Sequence, residues 1–489
     1  MMTSLSSNIL SFALSILNVL PGLEVVGCGP SIKIRSVEPS SMAPGTSRLK
    51  VNYNLPEDVI YQNIFSRLPF KLVTCLKATS GHRCLEIITN ATFAANQARL
   101  CPSCSALIQI TSLIDSNGHY NYYLNLISST PAMVGVPSSR LEFLGCGINN
   151  DGTFSLLAST NGLLCIQYTP QDIRPRVHTI LIANPATQQA QEIPGATRHL
   201  VWDRAVGLVF DPPNEKSSAE DNKFKIVQAF PFKNTNDTSV EFRFVIFSSD
   251  TGRWVMSNII VSGNIKKTKC DKVVYASGVL YWDCNEDLLW FDVSRSAGGI
   301  IKMPWMLQGS KTQEWDCHNI ETSIGGILMC TTIGKDGLVI YHLVEGGVRY
   351  WELKHKKAWA DIIEVSGDAF MFCHSMKLRN GWQSRLYERW LVRPLGLESG
   401  RWLYLGVSEK WKGTDSVLLR YDLDSGKVDN IERDLSNQFD LMPVFGYRNS
   451  MAALPLITAP ILPGGIICDG KPGRCICQTK GSAHHLYFF

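Results

Sequence analysis

The feature that most constrains the fold is a turn that recurs through the second half of the chain. In the clearest copies an apolar run ends in acidic or polar residues with glycine, and a basic or aromatic residue opens the next run. Asp or Ser caps such a turn, and Gly accepts the positive φ that a tight hairpin requires. The copies are Phe247–Trp254, Leu397–Trp402 and Tyr421–Val428, with weaker ones at Phe291–Arg295 and Val344–Trp351.

The turn glycines recur at a nearly constant interval. Gly252, Gly298, Gly347 and Gly400 are separated by 46, 49 and 53 residues. A four-stranded propeller blade occupies about this length. All 12 Trp residues lie between positions 202 and 411, which suits bulky packing between blades. The spacing predicts a β-propeller, and an irregular array of β-sandwiches is the alternative.

Short β-type runs fill the chain from about Phe154 onward, and Gly, Asp, Asn or Ser bounds each of them. The runs are Leu156–Ala158, Gly162–Ile166, Thr179–Ala183, Phe224–Val227, Phe242–Phe247, Val279–Trp282 and Leu338–Tyr341. Few segments between them are long and periodic enough for helices. The fold class is therefore predicted to be mainly β.

A helical pattern occupies the earlier segment Leu55–Phe93. Pro56 presets φ for a helix start, and Glu57 or Asp58 suits the first turn. Apolar residues then recur at helical spacing until Pro69 ends the helix; they are Leu55, Val59, Ile60, Ile64 and Leu68. Two further apolar groups, at 72–76 and 85–88, predict two more short helices. Three such helices cannot bury all this surface among themselves, so we expect them to dock on a partner.

This segment resembles an F-box, the adaptor-binding module of Skp-cullin-F-box ubiquitin ligases, over roughly residues 54–96. The likeness is carried by Leu55–Val59, Phe65–Lys71 and Ala91–Phe93. It implies docking on a Skp-type adaptor and, through the adaptor, on a cullin. The implied adaptor-binding residues are Leu55, Pro56, Val59, Ile60, Ile64, Leu68, Pro69 and Leu76.

Two positions depart from the F-box pattern. Asn63 looks like an insertion, and one extra residue turns a helix by about 100°. Arg83 stands where the family usually has Trp, and Arg cannot replace a buried indole without a paired partner. A propeller interaction module that has lost adaptor binding is therefore an alternative function.

The β region resembles the F-box-associated, kelch-like domain of plant F-box proteins over roughly residues 141–455. The likeness is carried by Ser159–Cys165 followed by Asn184–Thr187, and by Gly207–Pro212 and Gly278–Trp282. It implies a non-catalytic receptor that captures a protein substrate of unknown identity and needs no cofactor. Variable loops on a rigid scaffold are the usual recognition elements. We expect them at 212–222 and 233–239.

Together these patterns predict a three-helix F-box followed by a β-propeller-like repeat domain. The predicted boundaries are a disordered extension at 1–50, the F-box at 51–96, a connector at 97–140, the propeller at 141–455 and a disordered tail at 456–489.

Charge and cysteine content limit the classes of partner and the cellular locations that we expect for this chain. The net charge is +4 and no long Lys/Arg run occurs, so nucleic acid is not implied. The 15 scattered Cys residues favour reduced thiols and a cytoplasmic and/or nuclear location. The cysteine pair Cys101 and Cys104 lacks the second pair of ligands that a zinc site needs.

The apolar stretch Ile9–Val26 has no preceding Lys or Arg and is interrupted by Pro21 and Glu24, so neither a signal peptide nor a membrane span is expected.

The sequence contains neither a GxSxG elbow nor an HExxH pair, and we therefore expect no catalytic activity. A propeller enzyme acting on sugars is the remaining alternative. Such an enzyme requires acidic residues that converge on the central channel as a pair with perturbed pKa values.

Overall fold

The computed structural model describes most of residues 105–450, and the longest internal stretches outside that description are 195–205, 212–222, 363–389 and 432–443. The other described positions are 23–26, 33–36, 65–68, five single residues from 73 to 97, and residues 454 and 457. No helix among the described residues is long and apolar enough to cross a membrane.

The first described strands, β1 (Leu23–Val26) and β2 (Lys33–Ser36), pair with each other as an antiparallel hairpin. They lie in the segment for which we expected no regular structure. Val25, Val26 and Ile34 are β-branched residues, which favour strands. Phe65–Arg67 then forms a single 3₁₀ turn, and most of the predicted F-box helices lie outside the described residues.

The next two strands, β3 (Ser105–Ile114) and β4 (Tyr120–Ile127), are followed by five four-stranded antiparallel sheets. Blade 1 contains β5 (Gly152–Thr160), β6 (Leu163–Pro170), β7 (Thr179–Asn184) and β8 (Gln189–Glu192). Blade 2 contains β9 (Val206–Phe210), β10 (Phe224–Lys233), β11 (Val240–Ser248) and β12 (Arg253–Gly263). Blade 3 contains β13 (Val273–Ala276), β14 (Val279–Asp283), β15 (Asp287–Asp292) and β16 (Ala297–Lys302).

The remaining sheets complete the series. Blade 4 contains β17 (Trp315–Thr322), β18 (Leu328–Gly334), β19 (Gly337–Val344) and β20 (Tyr350–Ala358). Blade 5 contains β21 (Trp390–Glu398), β22 (Trp402–Glu409), β23 (Val417–Asp422) and β24 (Val428–Ile431). Short helical segments at Leu141–Leu144 and Pro304–Leu307 connect blades.

The last strand, β25 (Phe445–Arg448), closes the ring as the inner strand of blade 6. It pairs with β3 through Phe445↔Ile108 and Tyr447↔Ala106, and β3 pairs in turn with β4. Blade 6 therefore combines the two ends of the propeller. The described residues form a six-bladed β-propeller, so the propeller prediction is confirmed. The sandwich alternative is wrong, because each sheet packs against two neighbours around a ring.

Six hydrophobic clusters fill the spaces between successive blades. Between blades 2 and 3 the Phe244 ring lies 4.3 Å from the Phe291 ring and 5.6 Å from the fully buried Trp282. Inner and middle strands such as β14 and β19 are buried along almost their whole length because both of their faces pack against neighbouring blades, whereas the outer strands β12 and β20 are mostly exposed. All seven short β runs named from the sequence coincide with strands of these blades, except that Gly162 lies in the turn before β6.

Two details correct the sequence interpretation. Residues 105–127 are not part of a connector, since β3 and β4 are two of the three strands of blade 6. The recurring turns are also not all equivalent. Gly252 and Gly426 lie in third-to-fourth-strand turns, whereas Gly400 lies between the first and second strands of blade 5 and Gly298 lies inside β16. The interval of 53 residues ending at Gly400 therefore does not measure a blade.

Successive strands run between two faces of the ring. The inner strands β5, β9, β13, β17, β21 and β25 contact one another around the centre. We call the face where they end the turn face, because it carries the first-to-second and third-to-fourth turns. The opposite face, where the chain passes from blade to blade, is the crossover face.

Candidate functional site: the central channel and the two faces

Side-chain hydrogen bonds connect the inner strands near the turn face. Thr160 Oγ1 donates to the Leu208 carbonyl at 2.8 Å, and Thr322 Oγ1 donates to the Tyr275 carbonyl at 2.7 Å. Ser159 Oγ donates to the Gly446 carbonyl at 2.7 Å and so links blade 1 to the closing strand. Each bond joins two neighbouring blades and satisfies a carbonyl on an inner strand.

The channel itself is occupied by a lysine. Lys272 lies just before β13, and its Nζ donates to Asn319 Oδ1 on β17 at 2.8 Å. The same Nζ lies 5.5 Å from the centroid of the Phe445 ring on β25. Asn319 Nδ2 donates to the Leu395 carbonyl on β21 at 3.2 Å. Lys272 therefore connects inner strands of blades 3, 4 and 6.

Glu321 adds a buried carboxyl group to this cluster. It is 3% exposed, and its Oε2 accepts a hydrogen bond from the Leu397 backbone N–H. Burial raises the pKa of Glu321 to about 6, although Lys272 and the Leu397 N–H oppose the shift. Burial likewise lowers the pKa of Lys272 to about 8, against the attraction of Glu321 and Asp283. Desolvation thus outweighs the attraction between the two groups.

The crossover face carries a second polar group beside the channel. His318 Nε2 lies 2.8 Å from Asp283 Oδ2, and the Trp305 ring lies 4.7 Å from the imidazole ring. Asp283 ends β14, His318 lies on β17, and Trp305 lies in the short helix between blades 3 and 4. The three side chains hold these two blades together where the chain crosses between them.

This chemistry differs from what a sugar-cleaving propeller needs. Two carboxyl groups must reach the glycosidic bond in such an enzyme. Glu321 faces an ammonium group and is buried, so a substrate cannot contact it. The described part of the channel is therefore a packed polar core.

Comparison with known proteins gives the family. The family model described as "F-box protein At3g26010-like, beta-propeller" matches residues 133–377, which is half of the chain. This chain belongs to that F-box propeller family. The match names a β-propeller and not a kelch repeat, so the kelch-like part of the resemblance stays a prediction.

A curated relative of this F-box propeller protein is F-box protein At1g49990 from Arabidopsis thaliana. The two are 28% identical over 142 residues, which cover 26% of this chain and 32% of the relative. The match thus spans about a third of the relative's length.

Solved propeller structures are more distant. The propeller domain of the Trilobed protease from Pyrococcus furiosus gives a TM-score of 0.28 at 12% identity, covering 59% of this chain and 73% of that domain. A fucose-specific lectin from Aleuria aurantia gives 0.27 at 9% identity, covering 65% and 91%. Such low scores transfer no function to the F-box propeller protein.

The predicted adaptor-binding residues of this F-box protein lie mostly outside the described residues. Leu55, Pro56, Val59, Ile60, Ile64, Pro69 and Leu76 are in that group. Leu68 is described and is 5% exposed, and its carbonyl accepts a hydrogen bond from Gln97 Nε2 at 3.4 Å. The adaptor contacts of all eight residues stay a prediction.

The two predicted recognition loops also lie largely outside the described residues, but their attachment points are visible. Phe224 at the start of β10 pairs with Phe210, and Lys233 at its end pairs with Val240. The loops therefore join β10 at opposite ends, one at the turn face and one at the crossover face. They do not belong to one binding face, because a single strand separates them.

Sequence reasoning missed the channel cluster of Lys272, Asn319 and Glu321. The sequence offered only a weak signal, since Glu321 lies in a short run that ends β17 and Lys272 precedes an apolar run. Their juxtaposition depends on how three blades meet at the centre of the ring.

Proposed function

We propose that this chain is the substrate-recognition subunit of a Skp-cullin-F-box ubiquitin ligase. The most direct support is that the chain belongs to an F-box propeller family. The first strand of its closed propeller, β3, begins at Ser105. That start follows closely on the segment that resembles an F-box. In this function the F-box docks on the adaptor, and the propeller captures a protein substrate without catalysis or a cofactor.

The adaptor contact would be made by the apolar positions of the F-box helices. Each such side chain, when fully buried, contributes roughly 1.5–3 kcal/mol. Loss of one anchor would therefore weaken adaptor binding about tenfold or more. We place the complex in the cytoplasm and/or the nucleus, where the adaptor and cullin operate.

The propeller suits the receptor role because it is rigid. Six inter-blade clusters, the closure of blade 6 and the polar channel fix the positions of its surface strands. A rigid scaffold presents recognition elements without a large ordering cost on binding.

The test is co-purification of the full-length chain with a Skp-type adaptor and cullin. Val59→Asp is expected to abolish the complex, because it places a charge in an apolar interface. Val255→Asp is the matched control, since Val255 is 62% exposed on the propeller and lies outside the F-box. Circular dichroism would establish that both variants keep the β fold.

If the unmodified chain does not retain the adaptor and Arg83→Trp does not restore retention, the proposed function is wrong. The propeller would then be an interaction module without ligase assembly.

A further inference from the structure

The outer strand of blade 4 differs from the other outer strands in its charge. β20 spans nine residues, Tyr350–Ala358, and pairs with β19 on one side only in the described sheet. Lys354, Lys356 and Lys357 are exposed along it. No carboxylate of the described residues lies within 4.0 Å of their ammonium groups.

Of the described carboxylates nearest in sequence, Glu345 and Glu352 contact other groups, and the exposed Asp361 makes no ion pair with the three lysines within 4.0 Å. Glu352 Oε2 lies 2.7 Å from His342 Nε2. Glu345 accepts a hydrogen bond from the Tyr281 hydroxyl and lies 3.8 Å from Arg349 Nε. The three lysines therefore form a patch of positive charge that no carboxylate in the described part of the chain neutralises.

The other outer strands provide a comparison. On β16, Lys302 Nζ lies 2.5 Å from Asp287 Oδ1. On β24, Asp429 lies 2.7 Å from Arg420. In the described part of the ring the other outer strands carry at most one unpaired cation, Arg253 on β12. Unpaired positive charge on the described outer strands is thus concentrated on the edge of blade 4.

Apolar side chains lie beside the lysines. Tyr350 and Leu353 are each 53% exposed, and Val348 just before the strand is 78% exposed. The pairing of β19 with β20 shifts between Leu353 and His355, so Lys354 is an extra residue that bulges outward. His355 turns inward, with Nε2 2.9 Å from Tyr421 Oη, and anchors the strand against blade 5.

We propose that β20 is a docking strand for an acidic, extended segment of a captured protein. The inference rests on the proposed function and adds the chemical class of the substrate segment. Carboxylates of the segment would pair with Lys354, Lys356 and Lys357, and its apolar side chains would cover Tyr350 and Leu353. The backbone edge before the bulge, which pairs with no strand of the described sheet, would hydrogen-bond to the segment, as in strand addition to a sheet.

Lysines and a bulge also protect sheet edges from unwanted pairing. A protective edge has no use for exposed Tyr and Leu side chains, which raise the risk of association. Exposed apolar residues beside three cations instead favour an acidic partner with apolar side chains, because charge complementarity increases the specificity and the rate of association.

The test measures fluorescence anisotropy of a labelled peptide of alternating Glu and Leu that is long enough to span β20. The full-length chain is expected to bind this peptide more tightly than a Lys-Leu peptide. The triple variant K354E/K356E/K357E is expected to lose at least about tenfold in affinity, because three attractive pairs become repulsive. Leu353→Ser is expected to weaken binding several-fold.

The matched control reverses three exposed cations on other blades. The variant R253E/R295E/K427E changes the net charge by the same amount and is expected to bind the peptide like the unmodified chain. A single-stranded DNA oligonucleotide of equal charge is the second probe. Adaptor co-purification is measured on the same preparations.

Failure of the peptide to bind, or equal loss in the control variant, overturns the proposal. Tighter binding of the oligonucleotide with no effect of Leu353→Ser overturns it in favour of polyanion binding. If adaptor binding is intact while the peptide does not bind, only the docking strand is wrong. If the peptide binds β20 while the adaptor does not co-purify, the docking strand is supported and the proposed ligase function is wrong.

Discussion

Lys272 Nζ and the Phe445 ring face each other across the centre of the propeller, 5.5 Å apart. Lys272 belongs to blade 3 and Phe445 to blade 6, which lie on opposite sides of the ring. The ammonium also donates to Asn319, so one side chain links three blades. The channel is thus part of the packed core.

The first prediction concerns the buried carboxyl group of Glu321. Its pKa is raised from 4.5 to about 6, so the folded protein binds a proton that the unfolded chain releases between these values. The stability from that proton is present below pH 4.5 and is lost as the pH rises through about 6. The difference between the folded and unfolded pKa values corresponds to roughly 2 kcal/mol in the free energy of unfolding. Glu321→Gln should remove it, so the unmodified chain gains stability relative to the variant on acidification.

Urea unfolding of both proteins at pH 7 and pH 4 measures this difference. A gap between the two free energies of unfolding that stays constant with pH would show that Glu321 titrates normally.

The second prediction concerns Glu398, which joins the closing blade to blade 5. It is 2% exposed and accepts hydrogen bonds from Ser128 Oγ at 2.5 Å, Ser129 N at 2.8 Å and Tyr404 Oη at 2.5 Å. Glu398→Ala should cost about 3 kcal/mol or more, because several donors lose their acceptor. Tyr404→Phe removes one donor and should cost about 1 kcal/mol. Denaturant midpoints test the ranking, and equal losses in the two variants would contradict it.

The third prediction compares two turn glycines with positive φ. Gly162 has φ +92°, and an added Cβ would lie 2.4 Å from the Ser450 Cβ. Gly278 has φ +88°, and no heavy atom lies within 4 Å of the same position. Gly278→Ala should therefore cost only the backbone term of about 1–2 kcal/mol. Gly162→Ala should cost clearly more, since it also pushes against the segment that follows β25.

Thermal unfolding of the two variants separates the terms. A Tm for Gly162→Ala equal to that of Gly278→Ala would mean that the contact with Ser450 is not made.

The fourth prediction tests ring closure. Deletion of residues 444–489 removes β25, whose Phe445 and Tyr447 are 4% and 2% exposed, and leaves the inner edge of β3 unpaired. The truncated chain should aggregate or lose cooperative unfolding. Deletion of residues 459–489 keeps β25 and should leave the unfolding transition intact. Soluble yield and calorimetry give the answer, and cooperative folding without β25 would contradict the closure.

The recurring Asp/Ser–Gly turn was a good guide to the kind of fold but a poor guide to its register. Tyr421–Val428 and Leu397–Trp402 look alike in sequence, yet they join different pairs of strands in blade 5. Both turns need the same residues, because a hairpin has the same local geometry wherever it lies in a blade. Turn chemistry therefore predicts where hairpins lie, but not which two strands of a blade each hairpin joins.

The sequence by itself determined the β-propeller class, the seven short strands and the F-box likeness, because turn residues, alternating apolar runs and motif residues act over a few positions of the chain. Only the tertiary structure decided that β3 and β4 complete the last blade, that Lys272 meets Phe445 and Glu321 in the channel, and that the lysines of β20 have no carboxylate partner among the described residues. These relationships join residues far apart in the chain. They arise from the closure of the ring, which local patterns do not encode.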